Sequence, residues 1–352
     1  MSDYAFKMSN KLLNVNVKEI TTLPSPEEIK KQIPISETAK KVVLDSRNQI
    51  SNLIHNSNTL PLLIVGPCSI HDTEAALEFA NRLVKLRNDL ADKCHIIMRV
   101  YFEKPRTTLG WKGLINDPNM DKTFDVEKGI KLARIVLNSI LELGLPTATE
   151  MLDPIVPQYI GDLVSWASLG ARTTESQPHR EMASGLSMPV GFKNATNGDP
   201  MGAINGMKVA NNPHSFFGTN SEGKISIVNT NGNKNVHLIL RGGSDSPNFT
   251  PITISECVQT LRKQNLSSKI LVDCSHGNSK KKHINQPLVF NNVMFQRKSQ
   301  SDHILGVMLE SNIHEGNQSI PENLSDLKYG ISVTDECMSW ETTERLIRST
   351  FN

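Results

Sequence analysis

Residues 60–102 read LPLLIVGPCSIHDTEAALEFANRLVKLRNDLADKCHIIMRVYF. Two short apolar runs, LPLLIVGP (60–67) and HIIMRVYF (95–102), flank the stretch 74–90, whose apolar residues recur at helical spacing. This is a strand–helix–strand unit, and the theme continues along the chain. Six more runs read as strands: PTATEML (146–152), LGARTT (169–174), PVGFKNA (189–195), VHLILRG (236–242), KILVDCS (269–275) and ILGVMLES (304–311). A second helical stretch, VEKGIKLARIVLNSILELG (126–144), separates the early ones. Eight short buried strands alternating with helices point to an α/β fold, a (β/α)8 TIM barrel, with a doubly wound open sheet as the other arrangement of the same pattern.

Two segments lie outside the repeat. Residues 1–56 form an N-terminal extension: an arm with Pro24, Pro26 and Pro34, then an expected helix over 36–56 with Ser36 at its N-cap. SFFGTNSEGKISIVNTNGN (215–233) has a turn at Ser221-Glu222-Gly223 and apolar alternation after it, which predicts an inserted β-hairpin. The barrel is therefore expected over 57–352, interrupted by that hairpin.

The composition narrows the function. Against 38 Lys and Arg stand 36 Asp and Glu, a formal net charge of +2, so the chain is not built to coat nucleic acid and local basic clusters are expected to serve small anions. No run of about 18 apolar residues exists, and no membrane span is expected. The N-terminus MSDYAFKMSNKLLNVNVKEI has no apolar core of a signal peptide. Five scattered cysteines, Cys68, Cys94, Cys257, Cys274 and Cys337, fit a reduced, cytoplasmic protein.

In a barrel, chemistry collects where strands end in βα loops. Here those ends carry Arg99, Lys104, Arg106, Arg172, Lys193 and Arg241. Six cations at one barrel mouth repel unless anions neutralise them, which predicts a heavily anionic substrate with phosphate and carboxylate groups. Glu150 ends the third run. A second set, Cys68, His276, Glu310 and Asp335, combines thiol, imidazole and carboxylates. That mixture suits a borderline divalent transition metal rather than Ca or Mg. The ligand spacing is long-range, and a buried Cys68 and a hydrogen-bonding His276 would also explain those two residues.

The motifs GPCSIHD (66–72), RVYFEKPRTTLGWKGLINDP (99–118), GARTTESQPHREMASGLSMPVGFKN (170–194), LRGG (240–243), VDCSHGNS (272–279) and ESNIHEGNQ (310–318) resemble class I 3-deoxy-D-arabino-heptulosonate-7-phosphate (DAHP) synthase, from about residue 15 to the end. The resemblance implies a metal-dependent barrel enzyme of the shikimate pathway, a homodimer or homotetramer, that condenses phosphoenolpyruvate with erythrose 4-phosphate and releases phosphate. It implies one divalent metal ion per subunit (Mn, Fe, Co, Zn or Cu) on Cys68, His276, Glu310 and Asp335. Arg172, Lys193 and Arg241 match the phosphoenolpyruvate phosphate site, Arg99 and Lys104 its carboxylate side, and Arg106 and Thr107 the erythrose 4-phosphate phosphate site. Lys104 is the expected proton donor to the forming alkoxide, while water attack falls to Glu150 or to the metal site. Several motifs look most like the tyrosine-sensitive kind, implying feedback inhibition by an aromatic amino acid, tyrosine first. Pro157, Gln158, Ser187 and Phe216 match positions lining the inhibitor cavity, which the arm of a neighbouring subunit is expected to close. Asn197 stands where the family often has Asp. The segment 280–300, rich in Asn and Lys, matches poorly and is expected to be solvated. Cys337, two residues from Asp335, is expected near Cys68 and able to pair with it on oxidation.

Overall fold

The computed structural model describes residues 12–57, 60–299 and 302–351; residues 1–11 of the expected arm lie outside them. The strands are β1 (Leu62–Gly66), β2 (His95–Arg99), β3 (Thr147–Glu150), β4 (Trp166–Leu169), β5 (Val190–Lys193), β6 (Ser215–Thr219), β7 (Ile225–Asn229), β8 (Val236–Leu240), β9 (Ile270–Asp273), β10 (Ile304–Asn312) and β11 (Met338–Ser339). Eight of them pair in parallel in the order β1-β2-β3-β4-β5-β8-β9-β10, and β10 returns to β1 to close the barrel. The short β11 extends β10 beyond it.

The helices are α1 (Pro26–Gln32), α2 (Glu37–His55), α3 (Thr73–Asp89), α4 (Val126–Glu142), α5 (Val156–Ile160), α6 (Gln177–Gly185), α7 (Met201–Ala210), α8 (Pro251–Lys263), α9 (Gln286–Ser299) and α10 (Trp340–Phe351). Their starts are written locally. Ser36 Oγ accepts from Ala39 N at 3.1 Å, Asp72 Oδ1 from Glu74 N at 2.9 Å, and Asp125 Oδ1 from Lys128 N at 3.1 Å. Each side chain satisfies an amide that has no carbonyl partner in the first turn.

Strand alternation sorts the core into two compartments. Inward residues Leu62, Ile64, Ile97, Ala148, Trp166, Ile239, Leu271 and Met308 form one cluster, which Ile50, Leu53 and Ile54 of α2 join. The helix of the N-terminal extension thus plugs the end of the barrel where the strands begin. A fully buried Ile contributes about 2 kcal/mol there by burial alone. Outward residues of the strands pack against the surrounding helices in a second, larger cluster. Gly191 makes room inside: a Cβ on it would lie 2.7 Å from the Trp166 ring and 2.4 Å from Ile239.

The expected fourth strand is displaced. The chain is extended over Trp166–Leu169, and 171–175 is a turn. Thr173 N and Thr174 N both donate to Gly170 O at 3.0 Å, which curls the backbone as soon as the strand ends. Arg172 therefore stands in the βα loop, not in a strand. The inserted hairpin is present, with β6 and β7 antiparallel and Phe217 opposite Ile227. Asn220 Oδ1 accepts from Glu222 N and Lys224 N, both at 3.0 Å, and Gly223 takes the left-handed conformation that closes the turn. No helix among the described residues is long and apolar enough to cross a membrane.

Candidate active site

Two residues beyond the inward apolar layer, the same strand faces carry charge: Arg99 after Ile97, Glu150 after Ala148, Lys193 after Gly191, Asp273 after Leu271 and Glu310 after Met308. All five are buried. A charge in such a place has to be paired. Arg99 Nη2 donates to Glu310 Oε1 at 2.8 Å, and its other nitrogens meet Pro67 O and Met308 Sδ. Lys193 Nζ lies 3.0 Å from Asp273 Oδ2. Burial would lift the Asp273 carboxyl, but Lys193 and His276 outweigh it and hold it well below the ordinary carboxylate range.

Cys68, Glu310 and Asp335 come together from three loops and strand ends, each offering a ligand atom within 4.8 Å of the others. His276 adjoins them, its Nε2 lying 3.8 Å from Glu310 Oε1 and 3.9 Å from Asp335 Oδ2. Its Nδ1 is engaged by Asp273 Oδ2 at 3.0 Å and Ser275 Oγ at 2.7 Å, which aims Nε2 at the carboxylates. A carboxylate behind the imidazole of a metal ligand is a recurrent orienting device. A sulfur and two carboxylates within this reach, with an imidazole adjoining the carboxylates, fit a borderline divalent ion. Without one, burial pushes the Cys68 thiol up to about 11, with Glu310 adding to the shift.

Lys104 Nζ reaches the same corner, donating to Cys68 O and to Cys68 Sγ, both at 3.1 Å. Its backbone is held by Lys112, whose carbonyl accepts Lys104 N at 2.8 Å. Burial pulls the Lys104 ammonium down, but Cys68 and Glu310 outweigh it and keep it charged. Lys104, Arg106, Thr107, Glu150, Arg172, Lys193, Arg241, His276 and Asp335 line one cavity of about 730 Å3 over the barrel mouth. Arg172 Nε donates to Thr107 Oγ1 at 2.9 Å, joining the loops after β4 and β2. Arg241 is positioned from behind: Asn194 Oδ1 accepts its backbone N at 2.7 Å.

A model of the DAHP synthetase I family matches residues 32–348. The chain belongs to that family. It is 51% identical over 337 residues to the Tyr-sensitive phospho-2-dehydro-3-deoxyheptonate aldolase of Escherichia coli (strain K12), spanning 96% of this chain and 94% of that one. The Phe-sensitive enzyme of the same strain is 46% identical over 339 residues, 96% of each chain. The solved phospho-2-dehydro-3-deoxyheptonate aldolase from Francisella tularensis SCHU S4 superposes with a TM-score of 0.92 at 46% identity, covering 95% of this chain and 97% of that one.

Several neighbours of the site in this DAHP synthetase I family member carry no mark of their role in the sequence. Asp273, the shared partner of Lys193 and His276, lies inside the expected strand KILVDCS, where nothing local marks it as part of the site. Lys280 and Lys281 fall in the segment expected to be solvated and are exposed, and they also line the cavity. Glu150 Oε1 is buried with no hydrogen-bond partner among the described residues, and a Cβ on Gly170 would fall 2.3 Å from it. The glycine after β4 is what leaves that carboxylate its space.

The four residues expected from the resemblance to line an inhibitor cavity fall elsewhere. Pro157 and Gln158 are half-buried on α5, Ser187 is exposed after α6, and Phe216 is half-buried on β6. α1 spans this region within the same chain. Tyr159 Oη on α5 donates to Pro24 O at 2.8 Å, and Glu27 N donates to Ser221 O of the hairpin turn at 2.9 Å. Ser184 Oγ and Thr230 Oγ1, 2.7 Å apart, tie the end of α6 to the base of the hairpin.

Proposed function

We propose that this chain condenses phosphoenolpyruvate with D-erythrose 4-phosphate and water, giving 3-deoxy-D-arabino-heptulosonate 7-phosphate and phosphate, the first step of the shikimate pathway. The observation that carries the reading is the meeting of a thiol, an imidazole and two carboxylates with Lys104 on the wall of a cavity lined by cations. Family membership across nearly the whole chain supports it.

Cys68, His276, Glu310 and Asp335 would hold one divalent ion of the Mn, Fe, Co, Zn or Cu type, which supplies Lewis acidity toward the aldehyde oxygen when bound. Arg172, Lys193 and Arg241 hold the phosphoenolpyruvate phosphate, and Arg99 and Lys104 its carboxylate. Arg106 and Thr107 take the phosphate of the aldose. Fixed cations of this kind align the two reactants and remain charged throughout. Lys104 delivers a proton to the oxygen that becomes the new hydroxyl as the enol carbon attacks the aldehyde. Glu150, which lines the cavity and whose buried Oε1 has no hydrogen-bond partner among the described residues, orients and deprotonates the water that adds at C2 before phosphate leaves.

The same reading makes the enzyme a cytoplasmic homodimer or homotetramer inhibited by an aromatic amino acid, tyrosine first. The 51% identity to a Tyr-sensitive relative against 46% to a Phe-sensitive one supports that order. Residues 1–56 would serve subunit contacts and regulation, residues 57–352 catalysis, and Pro157, Gln158, Ser187 and Phe216 would line the inhibitor cavity beneath a neighbour's arm.

The test is phosphate release from phosphoenolpyruvate, with erythrose 4-phosphate and with arabinose 5-phosphate. It is run before and after EDTA and metal restoration, with each aromatic amino acid in turn. Release should require erythrose 4-phosphate, fall with EDTA, return with metal and be suppressed most by tyrosine. Preference for arabinose 5-phosphate would reassign the substrate. Indifference to EDTA would remove the metal, and suppression by phenylalanine alone would overturn the inhibitor assignment.

A further inference from the structure

Tyr101 lies between Arg99 and Lys104 in sequence, and its side chain is buried. The Arg99 guanidinium carbon stands 3.8 Å from the centre of its ring, Lys104 Nζ 5.8 Å and Lys193 Nζ 5.9 Å. Three cations thus gather over one aromatic ring. Among the described residues their anionic partners are fewer. Glu310 takes Arg99 and Asp273 takes Lys193, while Lys104 has a carbonyl and a sulfur as its hydrogen-bond partners. The phenol oxygen is engaged elsewhere, 2.9 Å from Ser168 Oγ on β4, which pins the ring in place.

Like charges this close in a buried site repel strongly. A third carboxylate would relieve them but would also compete with the anionic substrate. An aromatic face attracts cations through its quadrupole without bringing a formal negative charge. We propose that Tyr101 is a positioning residue of the phosphoenolpyruvate site: its ring holds Arg99, Lys104 and Lys193 in place before the substrate arrives. The inference rests on the functional reading above and adds to it a reason why the site is preformed.

The test keeps the size of the side chain nearly constant and varies only the ring's electrostatics. Position 101 is made Phe, then 4-fluoro-, 3,5-difluoro- and 3,4,5-trifluorophenylalanine by nonsense suppression, with Tyr101→Leu as the end point. The metal-loaded enzyme is titrated calorimetrically with phosphoenolpyruvate. Tyr101→Phe should bind close to wild type. Each added fluorine should weaken binding, reaching about tenfold for the trifluoro ring, and leucine should lose at least as much. A flat fluorine series overturns the inference, as does a loss already complete in Tyr101→Phe, which would trace the effect to the Ser168 hydrogen bond. A wild type that does not bind phosphoenolpyruvate overturns the functional reading and the inference together. A wild type that binds it with a flat series overturns the inference alone.

Discussion

Asp273 Oδ2 lies 3.0 Å from His276 Nδ1, and the same oxygen receives Lys193 Nζ at 3.0 Å. One buried carboxylate therefore orients a proposed metal ligand and a proposed phosphate-binding cation at once. Asp273→Asn should weaken metal affinity by about 10–100-fold, as loss of such partners does elsewhere, and should raise KM for phosphoenolpyruvate as well. Metal competition against a chelator and initial rates measure the two effects. A variant that holds metal like the wild type would show that Ser275 alone orients the ring.

Lys104 and Lys112 separate side-chain chemistry from backbone support. Lys104 Nζ is buried against Cys68, whereas Lys112 is exposed and contributes its carbonyl to Lys104 N. Lys104→Ala should lower kcat by about 100-fold or more, the scale of a lost proton donor. Lys112→Ala keeps the carbonyl and should leave turnover near wild type. Comparable losses in steady-state assays would refute the division.

Two buried histidines set an acid limit on stability. Burial pulls His237 down to about 4, and it does the same to His95, also about 4. His237 Nε2 accepts Trp166 Nε1 at 3.1 Å and so is neutral in the fold. In the unfolded chain a histidine titrates near 6.5, so between those values the unfolded state binds more protons and stability falls with falling pH. The contribution is fully present above about pH 6.5 and is lost as pH drops toward 4, on the order of 3 kcal/mol per histidine. Urea unfolding of wild type and His237→Gln at several pH values checks it. The variant should show the shallower slope, and parallel slopes would mean His237 is not buried neutral.

Cys337 Sγ lies 3.4 Å from Cys68 N, and both thiols are buried. Peroxide treatment of the metal-free enzyme should inactivate it, dithiothreitol should restore it, and Cys337→Ser should slow the loss. Equal inactivation of the variant would separate the two sulfurs functionally.

Much of the fold was legible because burial leaves contiguous apolar runs in a parallel sheet. The two long early helices announced themselves through the helical spacing of their apolar residues, and the hairpin through its turn glycine. The fourth strand did not. Trp-Ala-Ser-Leu has a small polar residue facing inward at Ser168, where Tyr101 Oη meets it, so its period resembles a loop. The register slipped accordingly, and Arg172 was expected one element too early.

The charged strand ends and the unlike donors Cys68, His276, Glu310 and Asp335 are properties of the sequence alone, because residue type and position in a βα unit are local. Which of them share a corner is not local. Cys68 and Asp335 meet because β10 closes on β1, a pairing of the chain's first and last barrel strands. Closure also aligns the inward faces of all the strands. That alignment makes Asp273 a shared partner and Tyr101 a platform, roles that no run of neighbouring residues encodes.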